Sequence, residues 1–183
     1  MLKASENPPV IWPENGSVRL FEGLWWVAHT KSRNEKALAR QLVRHHISYF
    51  LPMAHKINRH KGRILRSFLP LFSGYLFFCG TEKDRINVLQ TNRVANLIEV
   101  KDQQKLLDEL YQIEQAFYAG ANLIPQKYIK TGQLCRVKAG PLCGLEGQVL
   151  RDKKISRLVL QIDMLGQSAS VEIDNDLIEV VEK

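Results

Sequence analysis

The sequence predicts an α+β protein in two parts, an α/β sandwich followed by a small β-barrel, and three observations carry that expectation. Short apolar runs alternate with amphipathic helical stretches as far as Tyr118. Beyond that point only short strand patterns separated by turn residues occur. Between the two, residues 119–126 carry Gly120 and Pro125, which suit a linker. The expected divisions are a flexible arm over 1–22, a sandwich over 23–118, a linker over 119–126 and a barrel over 127–183.

Residues 1–22 mix prolines, Asn and Gly without periodicity and are expected to form a loose arm. Leu24 to Ala28 is rich in aromatic and β-preferring residues and reads as a buried strand. Ser32, Arg33, Asn34 and Glu35 fit a capping box, in which the Ser hydroxyl and the Glu carboxylate accept bonds from orphaned backbone N–H groups. The helix that follows is expected to reach about His46, burying Leu38, Leu42 and Val43 and turning Arg40 and Arg44 outward. Tyr49 to Ile57 and Ile64 to Phe72 have the form of a long hairpin with a basic tip, Asn58 to Arg63.

Gly74 to Cys79 is apolar enough for a central strand, and Gly80 and Thr81 end it. A short helix over Glu82 to Gln90 and a strand over Ala95 to Val100 are next. Asp102 then caps a second long helix, whose Leu106, Leu110, Ile113 and Phe117 recur at helical spacing. The barrel strands are expected at Leu134 to Val137, Glu146 to Arg151, Leu158 to Met164, Ser168 to Ile173 and Ile178 to Val181. The β-branched content of this last part favours strand over helix.

Of 183 residues, 45% are hydrophobic and 25% charged, as in folded proteins. No apolar stretch approaches a membrane span, and Asn7, Pro8 and Pro9 follow the first residues where a secretory signal needs an apolar region. A cytoplasmic address is therefore expected, with no membrane partner. Cys79, Cys135 and Cys143 form neither an even framework nor a C-x-x-C pair and read as reduced thiols. The five histidines lack metal-site spacing, and no catalytic motif occurs, so no enzyme, metal or cofactor is expected.

The net charge of +7 is concentrated rather than spread. Lys31 to Arg66 holds ten of the 26 basic residues against one of the 19 acidic ones, Glu35. Such a segment suggests proximity to nucleic acid, through Arg33, Lys36, Arg40, Arg44, Arg59, His60, Lys61 and Arg63. Contacts of this kind go mostly to phosphates. A solvated charged face is the plain alternative.

Gly132, Val137, Gly140, Gly144, Gly147 and Val149, in a strand–turn–strand setting, resemble the KOW motif. Trp25, Trp26, Val27, a helix, a basic hairpin and then Leu71 to Phe77 resemble the amino-terminal (NGN) domain of the NusG family, with Ser73 where the family has proline. Tyr49 to Met53 and the short hairpin are similar to specialised RfaH-like paralogues. The resemblance implies a ferredoxin-like sandwich and an SH3-like KOW barrel. It further implies a transcription elongation or antitermination factor, acting as a monomer, that docks on the clamp helices of RNA polymerase and suppresses pausing or termination.

By resemblance the docking surface comprises Trp26, Pro52, Leu71, Phe72, Tyr75 and Phe77. Strand alternation puts Tyr75 and Phe77 on one face, which is expected to be the outer, partner-facing one. On the barrel, Met164, Leu165, Gly166 and Gln167 fill the hairpin position that in relatives meets Rho or a small-subunit ribosomal protein. The alternative reading is a ribosome-associated, KOW-type RNA-binding protein.

Overall fold

The structure is a computed structural model and describes residues 7–60, 63–127, 132–151 and 156–181. The chain divides into two units, Met1–Leu107 and Asp108–Lys183. The α+β class holds, with helices and sheet in the first unit and a β-rich second unit.

In the first unit β1 is Ile11–Trp12, β2 Leu24–Thr30, α1 Glu35–Arg44 and β3 Ser48–Phe50. The hairpin strands β4 (Met53–His60) and β5 (Arg63–Pro70) follow, then β6 (Tyr75–Gly80), α2 (Glu82–Gln90) and β7 (Val94–Glu99). The helix α3, Gln103–Tyr118, starts here. The main sheet has the order β1-β3-β6-β2-β7, while β4 and β5, among the described residues, pair only with each other.

Residues opposite one another in an antiparallel pair share a face. Trp26 lies opposite Phe78 and Ala28 opposite Leu76. All four pack with Leu38, Ala39 and Leu42 of α1 in one core, where Trp26 stacks on Phe78 at 5.5 Å. The other face carries Trp25 opposite Cys79, Val27 opposite Phe77, and Phe50 opposite Phe77 on the far side. Gln103 anchors the first turn of α3 there: the backbone N–H of Trp25 donates to its Oε1 at 2.8 Å, and its Nε2 donates to the Trp25 carbonyl at 3.1 Å.

Three expectations need correction in this unit. The supposed arm is ordered where described: β1 pairs Ile11 with Phe50, Val18 is buried, and Tyr49 Oη donates to the Pro9 carbonyl at 2.8 Å. Short, Pro-flanked strands carry no periodicity, but a sheet edge supplies their partners. The capping box at Ser32 does not form. Arg33 takes a φ of 58°, α1 starts after Asn34, and Glu35 turns inward to accept the Gly74 backbone N–H at 2.7 Å. The box belongs instead to α2, where Thr81 and Asp84 cap each other's backbone N–H. The long hairpin is also broken at its base, since Ser48–Phe50 joins the main sheet and the separate ladder runs from Met53↔Pro70 to His60↔Arg63.

The second unit comprises the rest of α3 and β8 (Ile124–Lys127), β9 (Gln133–Val137), β10 (Glu146–Arg151), β11 (Ser156–Ile162), β12 (Gln167–Ile173) and β13 (Ile178–Val180). Their order is β13-β9-β10-β11-β12-β8. Part of the expected linker is thus a strand, with Ser170↔Ile124 to Gln167↔Lys127 in register. Pro125 lacks a ladder N–H and is tolerated because β8 lies at a sheet edge. The strand expected to reach Met164 ends at Ile162, and Asp163–Leu165 forms a single 3-10 turn closed by Gly166 at a φ of 57°.

Candidate functional site

Two surfaces of the first unit hold the residues singled out from sequence. The first is the sheet face that carries Phe77. Of the six expected docking residues, Trp26, Leu71, Phe72 and Phe77 are buried, Phe77 completely at 0% exposure, and Pro52 is buried too. Tyr75 alone is half-exposed. The expectation that Tyr75 and Phe77 form an exposed pair is corrected for Phe77, which lies between Val27 and Phe50 and meets the edge of Phe72 at 6.1 Å. Trp26 cannot join them, because alternation sends it to the α1 side.

What remains open is the end of that face. His29, exposed and directly across from Tyr75, stacks on its ring at 5.1 Å. Gly74 sits beside them with a φ of 86°, and a Cβ there would lie 3.5 Å from the His29 ring. Its N–H is held by Glu35 and its carbonyl accepts the Thr30 N–H at 2.8 Å. Glu35 thus fixes the turn from α1 while the sheet fixes the ring pair. His29 was legible in the sequence: Trp25, Val27 and His29 alternate along β2 as Cys79, Phe77 and Tyr75 do along β6.

The second surface is basic. Arg33 and Arg44 are exposed and Arg40 half-buried, as a solvated cationic helix face requires. Lys36 departs from it. Its Nζ donates to Asn7 Oδ1 at 2.6 Å and to the Phe68 carbonyl, binding α1 to the base of the hairpin. Burial lowers its pKa, the neighbouring Arg40 lowers it further, and Glu35 acts the other way. Lys61 lies outside the described residues, as do the side chains of Arg59, His60 and Arg63. We predict that Lys36→Met costs about 1 kcal/mol, because partial solvent exposure tempers two charge-assisted bonds. Hydrogen exchange measured on β4 and β5 should quicken while the main sheet is unchanged.

In the second unit the motif glycines have separate tasks. Gly140 and Gly144 take φ values of 85° and 89° in the turn between β9 and β10. There Gly144 N–H donates to the Val137 carbonyl at 2.8 Å, and Val137 N–H to the Leu145 carbonyl at 2.9 Å. A Cβ on Gly147 would meet the Val159 carbonyl oxygen at 2.5 Å, and one on Gly132 the Gln148 side chain at 3.1 Å. Val137 and Val149 are buried beneath them. At the β11–β12 turn Met164 is exposed, Leu165 and Gln167 half-buried and Gly166 exposed.

Burial pushes the Cys79 thiol up to about 11, which disfavours the nucleophilic thiolate. Among the described residues no cluster of His, Cys, Asp or Glu suits a metal ion, and no helix is long and apolar enough to cross a membrane.

A family model described as transcription termination factor nusG matches residues 23–113. A chain from a solved structure described as the crystal structure of the MjSpt4:Spt5 complex, conformation B, matches at 17% identity. The match covers 87% of this chain and 98% of that one, with a TM-score of 0.29. Comparison with curated proteins gives no match.

Proposed function

Because the chain belongs to the NusG family, through the match over residues 23–113, we propose that it is a transcription elongation factor that docks on the clamp helices of RNA polymerase. The family consists of binding proteins rather than enzymes, and the docking reading rests on the His29–Tyr75 ring pair. Two stacked rings at the open end of an otherwise buried aromatic face offer rigid, partly apolar area at small entropic cost. The buried residues behind them, Phe72 and Phe77, hold the platform rather than touch the partner.

In this reading the first unit carries the polymerase-binding NGN domain, and the second, whose sheet includes β8, the KOW domain. Arg33, Arg40 and Arg44, with the basic hairpin, approach upstream or non-template DNA, where phosphate contacts make the interaction salt-sensitive. Met164 to Gln167 engages a second factor, Rho or a small-subunit ribosomal protein. Binding that is tighter to the processive than to the paused polymerase suppresses pausing or termination, since a ligand shifts an equilibrium only by differential affinity. The segment Tyr49 to Met53 and the basic hairpin support a specialised, RfaH-like role.

A pull-down from lysate decides between this function and a ribosome-associated one. The expected result is recovery of polymerase subunits in stoichiometric amount. Recovery of ribosomal subunits without polymerase, together with tight RNA affinity, would show the KOW-type RNA-binding alternative to be correct.

A further inference from the structure

The second unit contains a surface that the polymerase and second-factor readings leave unused. Beside β12 and the turn after β9 lies a groove of about 420 Å³, within the usual range of roughly 300–1,000 Å³ for binding pockets. Its floor is apolar, with Val137, Val171 and Ile173 buried and Leu177 half-buried. Its rim is acidic, with Glu172 and Asp174 exposed, and no Lys or Arg lines it among the described residues.

Two further features suit an extended ligand. The strand β8 pairs with β12 only between Gln167 and Ser170, so Val171–Ile173 has β11 as its one strand neighbour among the described residues. The rim carboxylates are also little committed. Asp174 precedes the 3-10 turn Asn175–Leu177 without making a side-chain cap bond. Glu172 meets Arg157 only at 3.8 Å, with both side chains about half exposed.

We infer that this groove captures an extended peptide in which basic residues alternate with apolar ones, added as a strand along the free edge of Val171–Ile173. Strand addition supplies main-chain hydrogen bonds, and alternation sends successive side chains to opposite sides. The apolar residues fill the floor, and the cationic ones reach Glu172 and Asp174. The carboxylate rim repels phosphate backbones, so a protein segment and not a nucleic acid is the fitting occupant. The groove is separate from the Met164–Gln167 turn, so the inference stands whether or not that turn binds a second factor.

The test uses the full chain and a fluorescent peptide of about eight residues alternating Lys or Arg with Val or Leu, read by anisotropy. Saturable binding is expected, and the double charge reversal Glu172→Lys with Asp174→Lys should weaken it by about tenfold or more. Ala139→Trp, placed on an exposed wall of the groove, should block it without charge change. Amide spectra of each variant check that the sheet is intact, and Asp174→Asn, which keeps size and shape, should give a smaller loss. The inference is overturned if wild type does not bind. It is equally overturned if a Glu-for-Lys/Arg peptide binds as well, or if folded variants bind unchanged.

Discussion

Phe78→Ala is expected to destabilise the first unit by about 3–5 kcal/mol, the usual loss for emptying a fully buried aromatic site. Phe78 has no exposed surface, stacks on Trp26 and packs among Leu38, Leu42, Leu76 and Tyr49. A cavity there removes the contact that seats α1 on the sheet. Since domains are stable by about 5–15 kcal/mol, much of the total margin is at stake. Urea unfolding of the full chain should show an earlier first transition. As a control, Leu89→Ala on α2, 44% exposed, should move it by less than about 0.5 kcal/mol. The functional consequence is specific: α1 carries Arg40 and Arg44, and its Glu35 holds the Gly74 turn, so a loosened α1 disturbs both candidate surfaces.

Gly147→Ala should cost the second unit about 1–3 kcal/mol, at the upper end of that range for an overpacked site. The added methyl would lie 2.5 Å from the Val159 carbonyl oxygen, and backbone cannot swing away as a side chain can. Gln148↔Val159 is a paired position, so relief requires parting β10 from β11. Gly144→Ala makes the informative comparison, because no atom lies within 4 Å of its Cβ position and only the φ of 89° opposes it. That substitution should cost about 1 kcal/mol through backbone strain alone. A larger effect at Gly144 than at Gly147 would mean that turn geometry, not strand approach, governs this motif.

Much of the fold was legible where a single period governs a long segment. The spacing of Leu106, Leu110 and Ile113 marked the buried side of α3, and all three are buried. The run Tyr75–Cys79 marked a central strand and is one. What escaped reading depends on partners far away in sequence. Ile11–Trp12 and Ile124–Lys127 are strands only because β3 and β12 offer edges to them. Glu35 looked like a capping residue because its spacing from Ser32 is right, but a backbone N–H at Gly74 claims its carboxylate.

The geometry of the candidate docking surface could be read only in part for the same reason. Alternation correctly separates Tyr75 and Phe77 from Leu76 and Phe78, but it does not say which face remains open. Here Trp25, Val27, Phe77 and Cys79 on one face and Trp26, Ala28, Leu76 and Phe78 on the other are all buried, while His29 and Tyr75 at the strand ends reach solvent. Lys36 shows the converse, since a basic residue in a basic segment reads as solvated until Phe68 and Asn7 are seen to hold it.

Affinity of the full chain for purified RNA polymerase, compared between wild type and a His29→Ala, Tyr75→Ala double variant, tests the docking claim most directly. Both side chains reach solvent, so the fold should survive. Loss of about 2 kcal/mol or more, a weakening of roughly thirtyfold, is predicted for removal of a central aromatic anchor. Wild-type affinity in a folded double variant would contradict the account and place the polymerase contact elsewhere.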